Sequence, residues 1–159
     1  QILRLIRPVQ YFGYRAYFAE QPYISSATAI EPSMIGAVPL SLVRQLIQNN
    51  INLAWFFIKE LSHNLGGSDT RIVNLTQKHI RGRLAEAIIV LLDNYGYEED
   101  NSTLKIYMAR EDLANLSNMT TSNAIRTLST FVNEKILVVD GRRIKIVNEP
   151  MLRKISKFG

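Results

Sequence analysis

The feature that most constrains the fold is the stretch MAREDLANLSNMTTSNAIRTL, residues 108–128. Two short apolar patterns of helical period flank a polar tetrad at residues 118–121. If the first helix begins at Arg110, Leu113 and Leu116 face inward on it. The tetrad leaves room only for a tight corner between two short helices.

The residues at this corner suit a sharp turn between helices. Asn118 falls where a left-handed residue is needed, and Asn tolerates that conformation better than most non-glycine residues. Met119 can fill the inside of the corner, and Thr120 is a good N-cap for the second helix. That helix is predicted to bury Ala124, Leu128 and either Phe131 or Val132.

The opposite face of the second helix is polar and carries Thr121, Ser122, Asn123 and Arg126. This is the helix-turn-helix pattern, whose second helix presents its N-terminal residues to base edges in the major groove. The helix N-terminus and Thr120 can bind phosphate, Arg126 can contact guanine and Asn123 can read adenine. The alternative is a helical hairpin with a solvated face.

The segment KILVVDGRRIKIV, residues 135–147, follows directly. Two β-branched runs around Asp140-Gly141 predict a β-hairpin, which makes the helix-turn-helix a winged one. Arg142, Arg143 and Lys145 can bind phosphates there, or they can belong to a solvated hairpin.

Other patterns predict further elements. The segment PLSLVRQLIQNN, residues 39–50, indicates a helix with Ser41 as its possible N-cap. Another helix is expected from about His79 to Tyr95, with Gly96 as its C-cap. TLKIYMA indicates a short strand with Leu104 and Ile106 on one face. In the last helix, Asn148 is the expected cap, Pro150 the opening residue, and the packing residues are Met151, Leu152 and Ile155.

A heptad pattern between residues 51 and 75 predicts a long helix that pairs two subunits. Gly66 and Gly67 lie inside it and can either kink the helix or let two helices approach closely. The members of this heptad seam are Ile51, Ala54, Ile58, Leu61, Leu65, Ser68, Ile72 and Leu75, and all but Ser68 are predicted dimerisation residues.

Residues 1–40 are expected to be irregular or β-like. Four prolines interrupt any long helix, and the runs VQYFGYRAYF and YISSATAI carry the aromatic and β-branched residues typical of strands. Because the chain begins inside an apolar pattern, we expect a fragment of a longer protein.

Composition excludes several classes of function. The chain has no cysteine, which rules out disulfides, thiolate zinc sites and cysteine-bound iron–sulfur clusters. No apolar run reaches the roughly 18 residues of a membrane helix. The net charge of +5 is compatible with a polyanionic partner. No nucleophile–base set, metal cluster or phosphate-binding loop is present, so an enzyme is not expected and no metal site is predicted.

With these elements in this order, the chain resembles the Crp/Fnr family of bacterial transcription regulators. IRGRLAEAIIVLL resembles the first helix of the family's DNA-binding domain, and AREDLANLSNMTTSNAIRTL its helix-turn-helix. The resemblance implies a mostly α fold with a small β component (α+β). It divides the chain into the C-terminal remnant of a β-roll, cyclic-nucleotide-binding-like effector domain (1–50), a dimerisation helix (51–77) and a winged helix-turn-helix (78–159).

The resemblance also implies roles for single residues. Arg126 would be the main base reader, Thr121 and Ser122 would fill the other two reading positions, and Thr120 and Arg110 would contact phosphate. The family often has Arg or Val followed by Glu where Thr121 and Ser122 stand, so its usual cytosine contact cannot form here. In addition, Asn118 replaces the turn glycine, and the polar Ser117 and Thr127 occupy common core positions.

The effector segment departs further from the family. FGYRAYFAEQPYISSA aligns with the cassette that binds cyclic nucleotides, and Gly13 remains, but Tyr14 replaces its acid. Tyr23 or Ile24 stands where the phosphate-binding Arg is expected, and a buried phosphate without that partner is costly. Cyclic AMP is therefore not expected to bind. We predict no cofactor, and the effector is not identified.

The sequence thus predicts a cytoplasmic, homodimeric regulator that binds a pseudo-palindromic operator. The expected partners are double-stranded DNA, a second copy of the chain and RNA polymerase, with no membrane association. The alternative is a protein-interaction module that uses the winged helix as a scaffold, and it predicts no salt-dependent binding of duplex DNA.

Overall fold

A computed structural model describes residues 1–159 and confirms the predicted fold class, mostly α with a small β component. The elements in chain order are α1 (Tyr14–Phe18), α2 (Leu40–Asn49), α3 (Ile51–Gln77), α4 (Ile80–Tyr95), α5 (Arg110–Leu116), α6 (Thr121–Asn133), β1 (Leu137–Asp140), β2 (Arg143–Ile146) and α7 (Glu149–Phe158). They form two compact units: the helical unit, Pro8–Ile72, and the winged unit, Gln1–Arg7 with Val73–Gly159.

The helical unit is organised by aromatic side chains. The ring centroids of Tyr14 and Phe57 are 5.6 Å apart, and those of Phe18 and Phe57 are 5.1 Å apart. The Tyr14 hydroxyl also accepts a hydrogen bond from the Asn64 side chain. These contacts dock α1 on the long helix α3.

Residues 1–40 are largely irregular, which is one of the two predicted alternatives, whereas the β-like alternative is wrong. No residue of this segment lies in a strand, and VQYFGYRAYF contains the short helix α1 instead. A run of β-branched and aromatic residues becomes a strand only when a neighbouring strand pairs with its backbone. Tyr14 and Ala16 are buried in the helix, so their apolar character is satisfied by packing.

Helix α2 starts one residue before its predicted N-cap. Pro39 is the N-cap and Leu40 the first helical residue, so Ser41 lies inside the helix and the prediction that it caps α2 is wrong. Proline fixes its own φ near the value of the first turn and needs no N–H partner there.

Helix α3 is continuous, and Gly66 and Gly67 do not interrupt it. Hydroxyl groups on both sides donate to carbonyls one turn earlier, as Thr70 does to Gly66 at 2.9 Å. None of the α3 residues is buried. Among the residues of the heptad seam, Ile51, Leu65 and Ile72 are 69%, 64% and 61% exposed. The helix therefore presents large aliphatic side chains to the outside of the chain.

Helix α4 forms the centre of the winged unit. Its predicted apolar face is correct, since Leu84, Ile88, Leu91 and Leu92 are all buried in one hydrophobic core. This core also includes Phe131 of α6, and the N-terminal segment joins it through Ile2 and Leu5.

The segment predicted as a strand at residues 103–109 forms only isolated bridges, Tyr97 to Leu104 and Thr103 to Lys145. Its alternating pattern is nevertheless real, because Leu104 and Ile106 are buried on one side. The backbone pairing is too short for a regular strand, since only one of these bridges reaches β2.

The predicted hairpin is confirmed. Strands β1 and β2 are antiparallel, with Leu137 opposite Ile146 and Asp140 opposite Arg143. The two loop residues are Gly141 and Arg142, and Gly141 has a φ of 53°. A two-residue hairpin loop needs a positive φ at its first position, which glycine adopts at little cost.

The last helix, α7, begins as predicted. The Asn148 side chain accepts a hydrogen bond from the Met151 N–H at 3.0 Å, and Pro150 lies in the first turn. Leu152 and Ile155 are buried, but Met151 is 40% exposed, so its predicted packing role is wrong. It lies next to Leu152 on the helix, and neighbouring residues point about 100° apart. The structure contains no helix with the length and hydropathy of a membrane span.

The packing of α6 gives a direct test of the core. Phe131 is fully buried, whereas its neighbour Val132 is 37% exposed. Phe131→Ala should lower the free energy of unfolding by roughly 3–5 kcal/mol, because it removes a buried ring and leaves a cavity. Val132→Ala should cost less than about 1 kcal/mol. Urea unfolding followed by circular dichroism measures both, and equal losses would contradict this packing.

Candidate nucleic-acid interface

The turn between α5 and α6 is a helix C-cap with asparagine in the left-handed position. Asn118 has a φ of 50°, and the Met119 N–H donates to the Ala114 carbonyl at 3.0 Å. This bond from the second residue after the cap is the Schellman pattern, in which glycine is usual at the Asn118 position. Met119 is partly buried against the core, as predicted.

A side chain from α4 holds this turn. The Arg83 guanidinium donates to the Asn118 carbonyl at 2.9 Å, across 35 residues of sequence. Arg83 lies in the segment IRGRLAEAIIVLL and is not among the residues predicted for the site. Its bond ties the central helix to the corner that sets the direction of α6.

Helix α6 begins at Thr121, and Thr120 is its N-cap as predicted. The Thr120 hydroxyl oxygen accepts from the Asn123 N–H at 3.2 Å. The hydroxyl thus satisfies one of the free N–H groups of the first turn. The N–H groups of Thr121 and Ser122 remain at the open end of the helix, where the helix dipole favours anions.

The two faces of α6 differ as the sequence predicts. Ala124, Leu128 and Phe131 are buried with Thr127, and Phe131 rather than Val132 completes the core face. On the other face Thr121, Ser122 and Arg126 are exposed, while Asn123 is half-buried. The Arg126 guanidinium has no hydrogen bond or ion pair within the chain.

The two polar residues at usual core positions are satisfied locally. Ser117 is 3% exposed and its hydroxyl donates to the Leu113 carbonyl at 2.7 Å. Thr127 is 7% exposed and donates to the Asn123 carbonyl at 2.8 Å. A hydroxyl that bonds the carbonyl one turn earlier carries no unpaired polar group into the core.

Arg110 opens α5 as predicted, but its guanidinium is engaged within the protein. Nη2 donates to the carbonyl of Gly141 in the hairpin loop, and Nη1 is buried without a partner. Arg110 therefore connects the start of the helix-turn-helix to the loop of the wing.

The three basic residues predicted for the wing have different surroundings. Arg142, in the loop, is exposed and forms no ion pair or hydrogen bond within the chain. The Arg143 guanidinium carbon lies 5.4 Å from the centre of the Tyr107 ring. Lys145 Nζ lies 3.9 Å from Asp100 Oδ2. Of the three, only Arg142 presents an unpaired cation.

A bidentate ion pair fixes the far end of α6. Arg81 of α4 donates to both carboxylate oxygens of Glu134 and also lies over the Phe131 ring, 4.9 Å from its centre. Hydrogen bonding from Arg81 lowers the pKa of Glu134. Together with Arg83 at the other end of α6, this pair anchors the helix to α4 at both ends.

Comparison with known proteins identifies the domain. Residues 82–155 match the family described as the Crp-like helix-turn-helix domain. The chain is 26% identical to the fumarate and nitrate reduction regulatory protein of Vibrio cholerae over 145 residues, which cover 91% of this chain and 58% of that protein. It is also 26% identical to the protein of that name from Escherichia coli K12 over 133 residues, covering 83% of this chain and 53% of the relative.

Solved structures share the fold. FixK2 from Bradyrhizobium japonicum superposes with a TM-score of 0.66 at 18% identity, over 72% of this chain and 57% of FixK2. A CooA mutant from Carboxydothermus hydrogenoformans gives a TM-score of 0.64 at 21% identity, over 74% of this chain and 55% of that one.

The winged unit thus contains a Crp-like helix-turn-helix domain. Residues 82–155 are similar to that domain family, and most of the chain is similar to the regulatory proteins named above. It spans only 53–58% of the length of these curated relatives.

The left-handed turn residue gives a stability test. Asn118→Ala should lower the free energy of unfolding by about 1 kcal/mol, because a Cβ without a polar group is disfavoured at positive φ. Asn118→Gly should be neutral or slightly stabilising, since glycine adopts this conformation freely. Chemical denaturation of both variants checks this, and an equal loss in the two would show that the Asn side chain itself holds the turn.

Proposed function

We propose that this chain is a sequence-specific DNA-binding transcription regulator that acts as a homodimer on a pseudo-palindromic operator. The observation that supports it best is the exposed polar face of α6, with an unpaired Arg126 one turn inside the helix. The helix is held on α4 by Arg81 and Arg83. An exposed reading face on a fixed support is what base recognition needs.

The dimensions and side chains of α6 suit the major groove. An α-helix with its side chains is roughly 10–12 Å across, and the major groove of B-DNA is about 12 Å wide. Thr121 and Ser122 are short, so the helix N-terminus can enter deeply. Arg126 can then make two hydrogen bonds to the O6 and N7 of one guanine. Asn123, half-buried, is the weaker candidate base reader.

Phosphate contacts would set the depth and register of this helix. The first-turn N–H groups beside Thr120 and the unpaired Arg142 of the wing are the groups best placed by their exposure. Arg110 contributes by holding the Gly141 carbonyl, which supports the loop that carries Arg142. Because Thr121 and Ser122 replace the family's more usual residues, we expect a half-site that differs from the familiar consensus.

The dimer would form through α3. Large aliphatic members of the heptad seam are exposed along a helix with no buried residue. Each Å² of apolar surface removed from water contributes about 25 cal/mol of stabilisation, which favours pairing of this face with a second copy of the chain. Two α6 helices would then enter successive major grooves about 34 Å apart.

The effector would differ from a cyclic nucleotide. At the position of the family's ribose-binding acid, Tyr14 is buried against Phe57, and its hydroxyl accepts from Asn64. This side chain is occupied in packing on α3 and carries no charge for a ribose. We propose that no cyclic AMP binds here and that the regulator acts on RNA polymerase at the promoter, by contact or by exclusion.

A selection experiment tests the main proposal. Random duplex DNA is selected with the purified protein, and the enriched sequences are titrated at two salt concentrations. We expect an inverted repeat bound in a salt-dependent way, and Arg126→Ala should reduce discrimination at one base pair by roughly 1–3 kcal/mol. Lys154→Ala on α7, which removes the same charge, is the control and should keep the sequence preference.

The outcome separates the two functions considered. An enriched repeat that depends on Arg126 supports the regulator. Weak, sequence-blind binding that Arg126→Ala does not change would reject it and favour a winged helix that serves as a scaffold for protein contacts.

Dimerisation is tested by placing charge in the seam. Ile58→Asp with Leu65→Asp should convert the protein to monomers and abolish binding to the inverted repeat, because paired carboxylates in an apolar interface are strongly unfavourable. His63→Asp, exposed on the same helix but outside the seam, is the matched control. Sedimentation velocity reports the oligomer, and a dimer that survives the double substitution would contradict pairing through α3.

A further inference from the structure

The basic side chains of β2 share one face of the strand. Ile144 and Ile146 are 3% and 5% exposed and point into the core. Arg143 and Lys145 alternate with them and point outward. Side chains two residues apart on a strand lie roughly 7 Å from each other on the same face. This outward pair is the obvious place for a wing to bind the DNA backbone.

The loop that follows α4 lies along this strand. The Ile146 N–H donates to the Ser102 carbonyl at 2.8 Å, and the Leu104 N–H donates to the Ile144 carbonyl at 2.9 Å. These backbone bonds hold residues 102–104 beside β2, and the Glu98 N–H donates to the Thr103 carbonyl at 2.7 Å, which connects the start of the loop to them. The loop carries three successive acids, Glu98, Glu99 and Asp100, which we call the acidic loop.

Asp100 is held by hydrogen bonds within its own loop. Its carboxylate accepts from the Thr103 hydroxyl at 2.7 Å, the Thr103 N–H at 2.7 Å and the Ser102 N–H at 3.0 Å. These hydrogen bonds, that from the Thr103 hydroxyl first, hold the pKa of Asp100 well below its usual range. Lys145 Nζ lies 3.9 Å away from this fixed negative charge.

Glu98 acts on Arg143 through a tyrosine. The Tyr107 hydroxyl donates to Glu98 Oε1 at 2.8 Å, and the Arg143 guanidinium lies over the Tyr107 ring. Hydrogen bonding to Glu98 raises the pKa of Tyr107. Both cations of the outward face therefore already have a partner tied to the acidic loop.

We propose that the acidic loop masks Arg143 and Lys145, so that the wing contacts the DNA backbone through Arg142 at its loop and not along β2. The ion pair itself contributes little to folding, because both side chains are about half exposed. The ion pair instead affects the binding of a phosphate. A phosphate that approaches Lys145 also approaches the negatively charged carboxylate of Asp100 and is repelled by it. The loop thereby limits sequence-independent affinity and leaves discrimination to α6. This inference rests on the proposed function.

The test compares variants on duplex DNA that lacks the operator. Glu98→Gln with Asp100→Asn removes two charges and keeps oxygen acceptors for Tyr107 and the loop N–H groups. We expect binding on the order of tenfold tighter at low salt. The slope of log affinity against log salt should steepen by about 0.9 for each additional phosphate that the wing neutralises. Glu20→Gln with Glu31→Gln, the same charge change in the helical unit, is the control and should have a smaller effect.

Lys145→Ala tests whether Lys145 is the cation that becomes available to DNA when the acidic loop is neutralised. In the wild-type protein it should change the affinity less than about twofold. In the variant with the neutralised loop it should cancel most of the increase in affinity. Arg142→Ala should weaken binding in both backgrounds and reduce the salt slope by about 1. Thermal unfolding confirms that each variant is folded.

Two results would overturn the mask. One is that Glu98→Gln with Asp100→Asn changes the affinity for duplex DNA no more than Glu20→Gln with Glu31→Gln does. The other is that, in the wild-type background, Lys145→Ala lowers the affinity as much as Arg142→Ala does. A failure of the regulator proposal has another signature, because then no operator is enriched and Arg126→Ala changes nothing, whatever the wing does.

Discussion

The winged unit depends on the burial of α4. Leu84, Ile88 and Leu91 are almost completely buried, and α5, α6 and α7 all pack against this helix. Gly82 allows α7 to approach closely, because a Cβ at this position would overlap the carbonyl oxygen of Gly159. Full burial of each large aliphatic side chain contributes about 1.5–3 kcal/mol. The packing of its buried face against the core therefore positions α6, and the polar residues of its exposed face do not have to contribute to folding.

Local signals made much of this unit predictable. Asn118, Thr120, Gly141 and Asn148 each perform a backbone task that only a few residue types perform well, so each marked a turn or cap from sequence alone. The N-terminal segment carried no such signal. Its strand-like composition described a side-chain preference, and strands require a partner that composition cannot supply. Residues 1–40 accordingly contain the short helix α1 and no strand.

The exposed polar face of α6 could be predicted from the sequence, whereas the long-range hydrogen bonds that hold α6 and the wing in place could not. The exposure of Thr121, Ser122 and Arg126 follows from the period of α6. The bonds of Arg83 to Asn118 and of Arg110 to Gly141 span 35 and 31 residues. Such pairs depend on how helices and hairpin pack, which no local pattern encodes. The same holds for Asp100, whose position beside Lys145 no local pattern indicates.

The distribution of charge matters more than its sum. The net charge of +5 suggests a general affinity for polyanions, yet many cations of the winged unit already have partners within it. Arg81 pairs with Glu134, Arg153 with Asp93 and Glu149, and Lys145 with Asp100. Each such partner repels an approaching phosphate, while Arg126 and Arg142 remain unpaired. Among the proposed DNA-binding arginines, the attraction would then come mainly from Arg126 and Arg142, which would favour discrimination between sites over uniform binding to any duplex.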